Sequence, residues 1–169
     1  MEVRRAIAAL SLRLNLVSKI KFSASWMKEF GEIIKGIEYL KRPGSYGVII
    51  KDGRIAVIKP SLYKKYFLIG GGIENGEDEI EALRREAVEE IGFEIEIKEK
   101  IGKATEYFHA EKDKQYIAKE CNFYRVLILN KLTGKAKNKL LWIDKSELGE
   151  IHHKSHRWII EKQLNLTTV

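Results

Sequence analysis

YFLIGGGIENGEDEIEALRREAVEEIGF, residues 66–93, is the stretch whose reading decides the fold. It opens on a short apolar run, Tyr66–Ile69, that stops at Gly70, Gly71 and Gly72. Helix signals follow at both ends of the next segment. Asp78 can cap the N-terminus, Glu81 three residues later completes a capping box, and Gly92 supplies the stop. The pattern predicts a helix over 78–91. At about 100° per residue, Ile80, Leu83, Ala87 and Ile91 fall within about 80° of one another, which makes them the buried face. With Ile80 at zero, Glu89, Glu86 and Glu90 lie at about 180°, 240° and 280°. These carboxylates share one arc beside the buried face, where a divalent cation would meet several hard oxygen donors. Arg85, four residues before Glu89, can pair with it or orient it. The glycines let the backbone turn sharply and approach a metal ion or phosphate without side-chain interference.

Strand patterns flank this helix. Upstream, Arg42-Pro43-Gly44 is a break, and Ser45–Ile50 alternates with Tyr46, Val48 and Ile50 on one face. Asp52-Gly53 marks a hairpin turn before Arg54–Ile58. Downstream, Glu94–Lys98, Ala104–Phe108, Gln115–Ala118, Asn122–Leu129 and Lys139–Ile143 read as strands. Asp144 with Glu147 is a second capping-box signal, and Ser155–Leu164 reads as a terminal helix with Trp158, Ile159 and Leu164 facing inward. Strands on both sides of one central helix, with helical segments at each end, predict an α/β domain with a mixed sheet between helical layers. At the N-terminus, Val3, Ile7, Leu10, Leu14 and Val17 form one helical stripe, and Trp26, Phe30, Ile33, Ile37 and Leu40 a second. They predict an N-terminal helical extension over 1–41, packed on a domain running from 42 to 169 or on a second subunit, so a homodimer is open.

The chain has 169 residues and is 44% apolar, enough for one sizeable core and too apolar for disorder. The net charge of +7 is unevenly spread: Glu74–Glu96 holds ten acids and two bases, −8, which leaves +15 elsewhere. An acidic spot on a basic body suits a polyanionic substrate met through a metal. No nucleic-acid motif accompanies the basicity. Arg13 and Asn15 interrupt the apolar run Ala6–Leu16, which is too short to span a bilayer, so no membrane partner is expected. The lone Cys121 reads as a buried strand cysteine in a reducing, cytoplasmic setting. His152, His153 and His156 include metal-ligand spacings, but without a cysteine or carboxylate pattern they read as structural.

Taken together, Gly71-x5-Glu77-x7-Arg85-Glu86-Ala87-x-Glu89-Glu90-x-Gly92-Phe93 resembles the signature box of the Nudix hydrolase family, with every fixed glycine and polar position met. The likeness extends over Arg42–Glu161, through Arg42–Ile49, Phe123-Tyr124, Leu141-Trp142-Ile143 and Ser155–Trp158, and is to a bacterial branch of unsettled substrate. Two positions depart from the family. Ile69 stands where proline is usual, and Lys139-Leu140-Leu141 lacks an acid that some relatives carry there. A base from that segment is therefore not expected, and Glu106, Glu111 and Glu120 remain alternatives.

The resemblance implies a Nudix-type α/β/α sandwich and Mg²⁺- or Mn²⁺-dependent hydrolysis of a diphosphate linkage. The implied substrate is a nucleoside diphosphate derivative: a nucleoside triphosphate, an oxidised nucleotide, ADP-ribose or a nucleotide sugar. Among nucleic acids only capped RNA would fit. Glu86 and Glu90 are implied as direct metal ligands, Glu89 as a ligand or an aid to water activation, and Gly71 as a carbonyl donor. Arg85 would orient a glutamate. Tyr46, Arg54, Tyr66 and Phe67 are candidate substrate-binding residues. The competing reading is a catalytically silent Nudix-fold domain that binds nucleotides or regulates.

Overall fold

The computed structural model describes residues 27–166. Within them the strands are β1 (Met27–Phe30), β2 (Leu40–Val48), β3 (Ile50–Lys51), β4 (Arg54–Val57), β5 (Ile69–Gly72), β6 (Phe93–Ala110), β7 (Gln115–Lys131) and β8 (Leu141–Ile143). Helix α1 (Glu79–Ile91) stands between β5 and β6, and a 3-10 turn (Lys145–Glu150) leads into α2 (Lys154–Leu166). The larger sheet runs β1-β6-β7-β2-β5. It is mixed: β1 with β6 and β2 with β7 are parallel, while β6 with β7 and β2 with β5 are antiparallel. The smaller sheet, β3-β4-β8, is antiparallel. Leu83, Ala87 and Ile91 of α1 pack with Ile69, Ile95 and Val126. Ile159, Ile160 and Leu164 of α2 pack in a second cluster with Tyr46, Cys121 and Phe123. A helix thus covers each cluster, the α/β/α arrangement expected. None of the described helices is long and apolar enough to cross a membrane.

The caps of α1 form as the sequence dictates. Asp78 accepts from the N–H groups of Ile80 and Glu81, both at 2.8 Å, and Glu81 accepts from Asp78 N–H at 2.9 Å. The Asp52-Gly53 turn closes the β3–β4 hairpin with both residues at positive φ, which suits the twist of the paired strands.

Three expectations change. The apolar run was expected to end at the glycines, yet Gly70, Gly71 and Gly72 form most of β5, paired to Tyr46, Ser45 and Gly44 of β2 respectively. Four short strands merge into the long β6 and β7. Lysine-rich stretches blur their alternation, and irregularities near Ile95, Glu99 and Gly102 bend β6 without ending it. The second N-terminal helix does not form over its described part: Met27–Phe30 is a strand beside β6, and Leu40 opens β2. Gly31, at φ +84°, lies against the Tyr107 backbone, a close approach that a continuing helix would forbid. Ile33 and Ile37 stay exposed instead of building a buried stripe. The first stripe, Val3–Val17, and Trp26 lie outside the described residues.

Two sets of contacts tie the C-terminal elements down. Tyr66 N–H donates to Glu150 O at 2.8 Å, His152 N–H donates to Tyr66 O at 2.9 Å, and Leu68 N–H donates to His156 Nδ1 at 3.4 Å. On the other side, Glu106 of β6 accepts from Lys154 N–H at 3.2 Å, from Ser155 N–H at 3.0 Å and from Ser155 Oγ at 2.6 Å. A buried carboxylate therefore caps α2 from a neighbouring strand, where the helix dipole favours negative charge. Against the cost of burial, the His153 and Ser155 contacts hold its pKa down at about 2. Because this lies below the ordinary 4.5, the stabilisation is complete above pH 4.5 and is lost as pH falls towards 2. Glu106→Gln is expected to lower stability by roughly 2–3 kcal/mol at pH 7. The gap to wild type should close in denaturation curves taken between pH 4.5 and about 2.

Candidate active site

β5 runs beside the acidic side of α1, and the absence of side chains at its centre decides how close the two come. Gly70 N–H donates to Glu90 Oε2 at 2.9 Å. A Cβ at Gly70, which sits at φ +131°, would collide with the carbonyl of Ser45 on β2. At Gly71 a Cβ would lie 2.5 Å from Glu86 Oε1. The glycine backbone therefore lies directly under two of the three box glutamates. Burial pushes the Glu90 carboxyl up to about 7, against the pull of the Gly70 hydrogen bond, and the charges of Glu86 and Glu89 push the same way.

Arg85 organises the rest. Its Nε and Nη2 grip Glu77 at 2.5 and 3.0 Å, and Nη2 also donates to Gly72 O at 3.1 Å. Nη1 donates to Glu86 Oε1 at 2.9 Å and reaches Glu89 Oε1 at 3.5 Å. One guanidinium thus joins the loop acid, the helix acids and the glycine strand, the planar multi-donor role for which arginine is suited. Lys137 donates to Glu89 Oε2 at 2.5 Å. Its loop is held at the end of α1 by Lys137 N–H to Glu89 O at 2.9 Å and Asn138 N–H to Glu90 O at 2.8 Å. Glu79 is bound as well, by Lys100 and by the Tyr124 hydroxyl.

Glu86 and Glu90 share the glycine edge, with Glu89 beside them on Arg85 and Lys137. Among the described residues no three His, Cys, Asp or Glu side chains converge on one point; Arg85 bridges Glu86 and Glu89, and Lys137 takes the other oxygen of Glu89. The donor chemistry nonetheless fits a hard divalent cation. Crowded carboxylates, one of them largely desolvated, lie next to the open backbone of Gly71.

Beside Gly72, on the α2 side of the sheet, is a cavity of about 320 Å³ lined by Arg42, Tyr46, Tyr63, Phe108 and Lys119. Tyr46 is the one sequence-derived substrate candidate that lines it. Arg54 lies on the β3–β4 hairpin in the smaller sheet. The Phe67 ring stacks on His152 with centroids 4.8 Å apart, and Tyr66 packs against the α2 core with Lys59 over its ring. Tyr63 and Lys119 carried no local pattern that marked them. Of the alternative bases, Glu106 is consumed as the cap of α2, Glu120 pairs with Lys41 at 3.6 Å, and Glu111 is an exposed turn residue beside His109. Of the three histidines with metal-ligand spacings, His156 is fully buried and accepts from Leu68, His153 contacts Glu106, and His152 stacks on Phe67.

The NUDIX domain family matches residues 41–168. The chain belongs to the Nudix hydrolase family, and its enzyme class is that of a Nudix hydrolase. No curated protein matches the chain. Among solved structures it is similar to the E. coli ORF135 protein at 19% identity, with a TM-score of 0.58, over 76% of this chain and 92% of that one. It is similar to a UDP-X diphosphatase at 15% identity and a TM-score of 0.57, over 94% and 72%. It is also similar to the mutator protein MutT of Bacillus halodurans at 20% identity and a TM-score of 0.57, over 73% and 82%. These likenesses concern the fold.

Two outcomes follow for stability. Gly70→Ala is expected to lower the thermal midpoint sharply, since the clash is with backbone. Gly71→Ala should leave it nearly unchanged, since the Glu86 carboxylate can swing aside. In metal-free protein the folded Glu90 pKa lies above its ordinary value, so the contribution of this group to stability is greatest below pH 4.5 and is lost as pH rises through about 7. Glu90→Gln should therefore melt at a higher temperature than wild type above pH 7, and scanning calorimetry across that range reads the difference.

Proposed function

We propose that the protein hydrolyses a diphosphate linkage in a nucleotide derivative. One observation carries this reading: Glu86 and Glu90 are drawn onto the side-chain-free backbone of Gly70 and Gly71, and the next residue, Gly72, lines a cavity. The name of one fold relative, a UDP-X diphosphatase, is in keeping with the same chemistry.

Glu86 and Glu90 would hold Mg²⁺ or Mn²⁺, with Glu89 and the carbonyl of Gly71 as further oxygen donors. Such an ion supplies neutralisation of the phosphate oxygens and a lowered pKa for an attacking water. The chain's own residues prepare the site. Arg85 fixes Glu86 and Glu77 in one plane of hydrogen bonds, so the carboxylates need little reorganisation. Gly70 N–H fixes the orientation of Glu90. Lys137 restrains Glu89, which is left with few free directions to accept a proton from water. Attack on one phosphorus yields two phosphorylated fragments, or a monophosphate and pyrophosphate. Cytoplasmic conditions suit the one cysteine, buried against Ser155 with its thiol pushed up to about 11.

The grip of Arg85 and Lys137 on Glu86 and Glu89 favours one second reading, a silent nucleotide-binding domain. Turnover separates the two. Wild-type protein is expected to release phosphate products from at least one member of a panel of nucleoside triphosphates, nucleotide sugars, dinucleoside polyphosphates and capped RNA. Release should need Mg²⁺ or Mn²⁺, stop with chelator, and fall by on the order of a hundredfold or more in Glu90→Gln. Nucleotide binding without turnover on any panel member would establish the silent reading. Undiminished turnover in Glu90→Gln would remove that residue from the chemistry.

A further inference from the structure

On the face of β7 that looks towards α2, Ile117, Cys121 and Phe123 are buried and apolar, as a covered sheet face requires. Lys119 breaks the series. Its ammonium stands 4.8 Å from the centroid of the buried Tyr46 ring and lines the cavity beside Gly72. In register it sits between Arg42 of β2 and Glu106 of β6. Glu106 is the carboxylate placed to neutralise it, but that group is turned to the N-terminus of α2 and to His153. Neither Lys119 nor Arg42 forms an ion pair with a described residue, and both line the same cavity. The one carboxylate at its wall, Asp113, is an exposed turn residue. Burial draws the Lys119 pKa down, the mark of a cation held with too little compensation.

A half-buried cation with too little compensation costs stability unless something anionic meets it. At about 320 Å³ the cavity is at the small end of ligand sites and accommodates one moiety. It adjoins the glutamate helix through Gly72, whose carbonyl is bonded to Arg85. We propose that Lys119, with Arg42 beside it, binds a phosphoryl group of the substrate beyond the linkage that is cut. The preferred substrates are then nucleotides ending in a further phosphate, the nucleoside triphosphate class, over those ending in a neutral sugar. This rests on the diphosphate hydrolase reading and selects within it.

The test compares ATP and ADP-ribose as probes, by titration calorimetry without metal and by turnover with Mg²⁺, on wild type, Lys119→Met and Lys119→Arg. Wild type should favour ATP. Lys119→Met should weaken ATP binding and raise its KM by on the order of tenfold, with kcat and the ADP-ribose values little changed, and Lys119→Arg should restore ATP binding. The thermal midpoint of Lys119→Met should hold or rise, whereas a purely structural lysine would lower it. Equal losses for both probes, no loss for either, or no detectable ATP binding by wild type overturns the proposal. Turnover that persists unchanged in Lys119→Met sinks the phosphate site and leaves the hydrolase reading standing. Lys119-dependent ATP binding with no turnover on any substrate does the reverse.

Discussion

Everything in the site depends on how closely a helix carrying several negative charges can approach a strand. The approach is possible because β5 has no side chains at Gly70 and Gly71: the Glu86 carboxylate takes the space that a Cβ at Gly71 would fill, and the backbone N–H of Gly70 meets Glu90. The two glycines differ in what they protect: a side chain at Gly70 would strike the backbone of β2, and one at Gly71 would displace the Glu86 carboxylate from the strand. The apolar side of α1 supplies the complementary force. Leu83, Ala87 and Ile91 are buried against Ile69 and Ile95, which presses the helix onto the strand that its acidic side must tolerate.

That proximity creates an electrostatic difficulty that the surrounding cations relieve. Arg85 spans Glu77, Glu86, Glu89 and Gly72, and Lys137 is delivered to Glu89 by a loop that also satisfies two carbonyls at the end of α1. Glu90 is left as the member of the group without a cation in contact, and it is the one whose ionisation is held back. The division separates restraint from reactivity: two carboxylates are fixed by partners, and the third stands ready for a change in local charge.

Local signals carried much of this. Capping box, glycine stop and hairpin turn formed as read because each depends on neighbours within a few residues, and the arc of Glu86, Glu89 and Glu90 follows from helical geometry alone. Features set by distant pairing were not legible. Lys137 and Tyr63 reach the site from loops with no pattern of their own. Met27–Phe30 is a strand because β6 offers it a parallel edge, despite a helix-like spacing of apolar residues around it. Glu106 looked like a free acid in a strand and proved to be the cap of a helix 48 positions later. Lys119 was one lysine among many until its register partners showed which charge it lacked.

The hydrogen bonds joining Tyr66 and Leu68 to Glu150, His152 and His156 have a consequence for the order of events during synthesis. The segment leading into the glycine strand is held by residues made some eighty positions later. A nascent chain can form α1 and the β3–β4 hairpin early, since both are local. The strand beneath the glutamates can pair with β2, made before it, but the segment leading into it gains these anchors only after the region around His156 has left the ribosome.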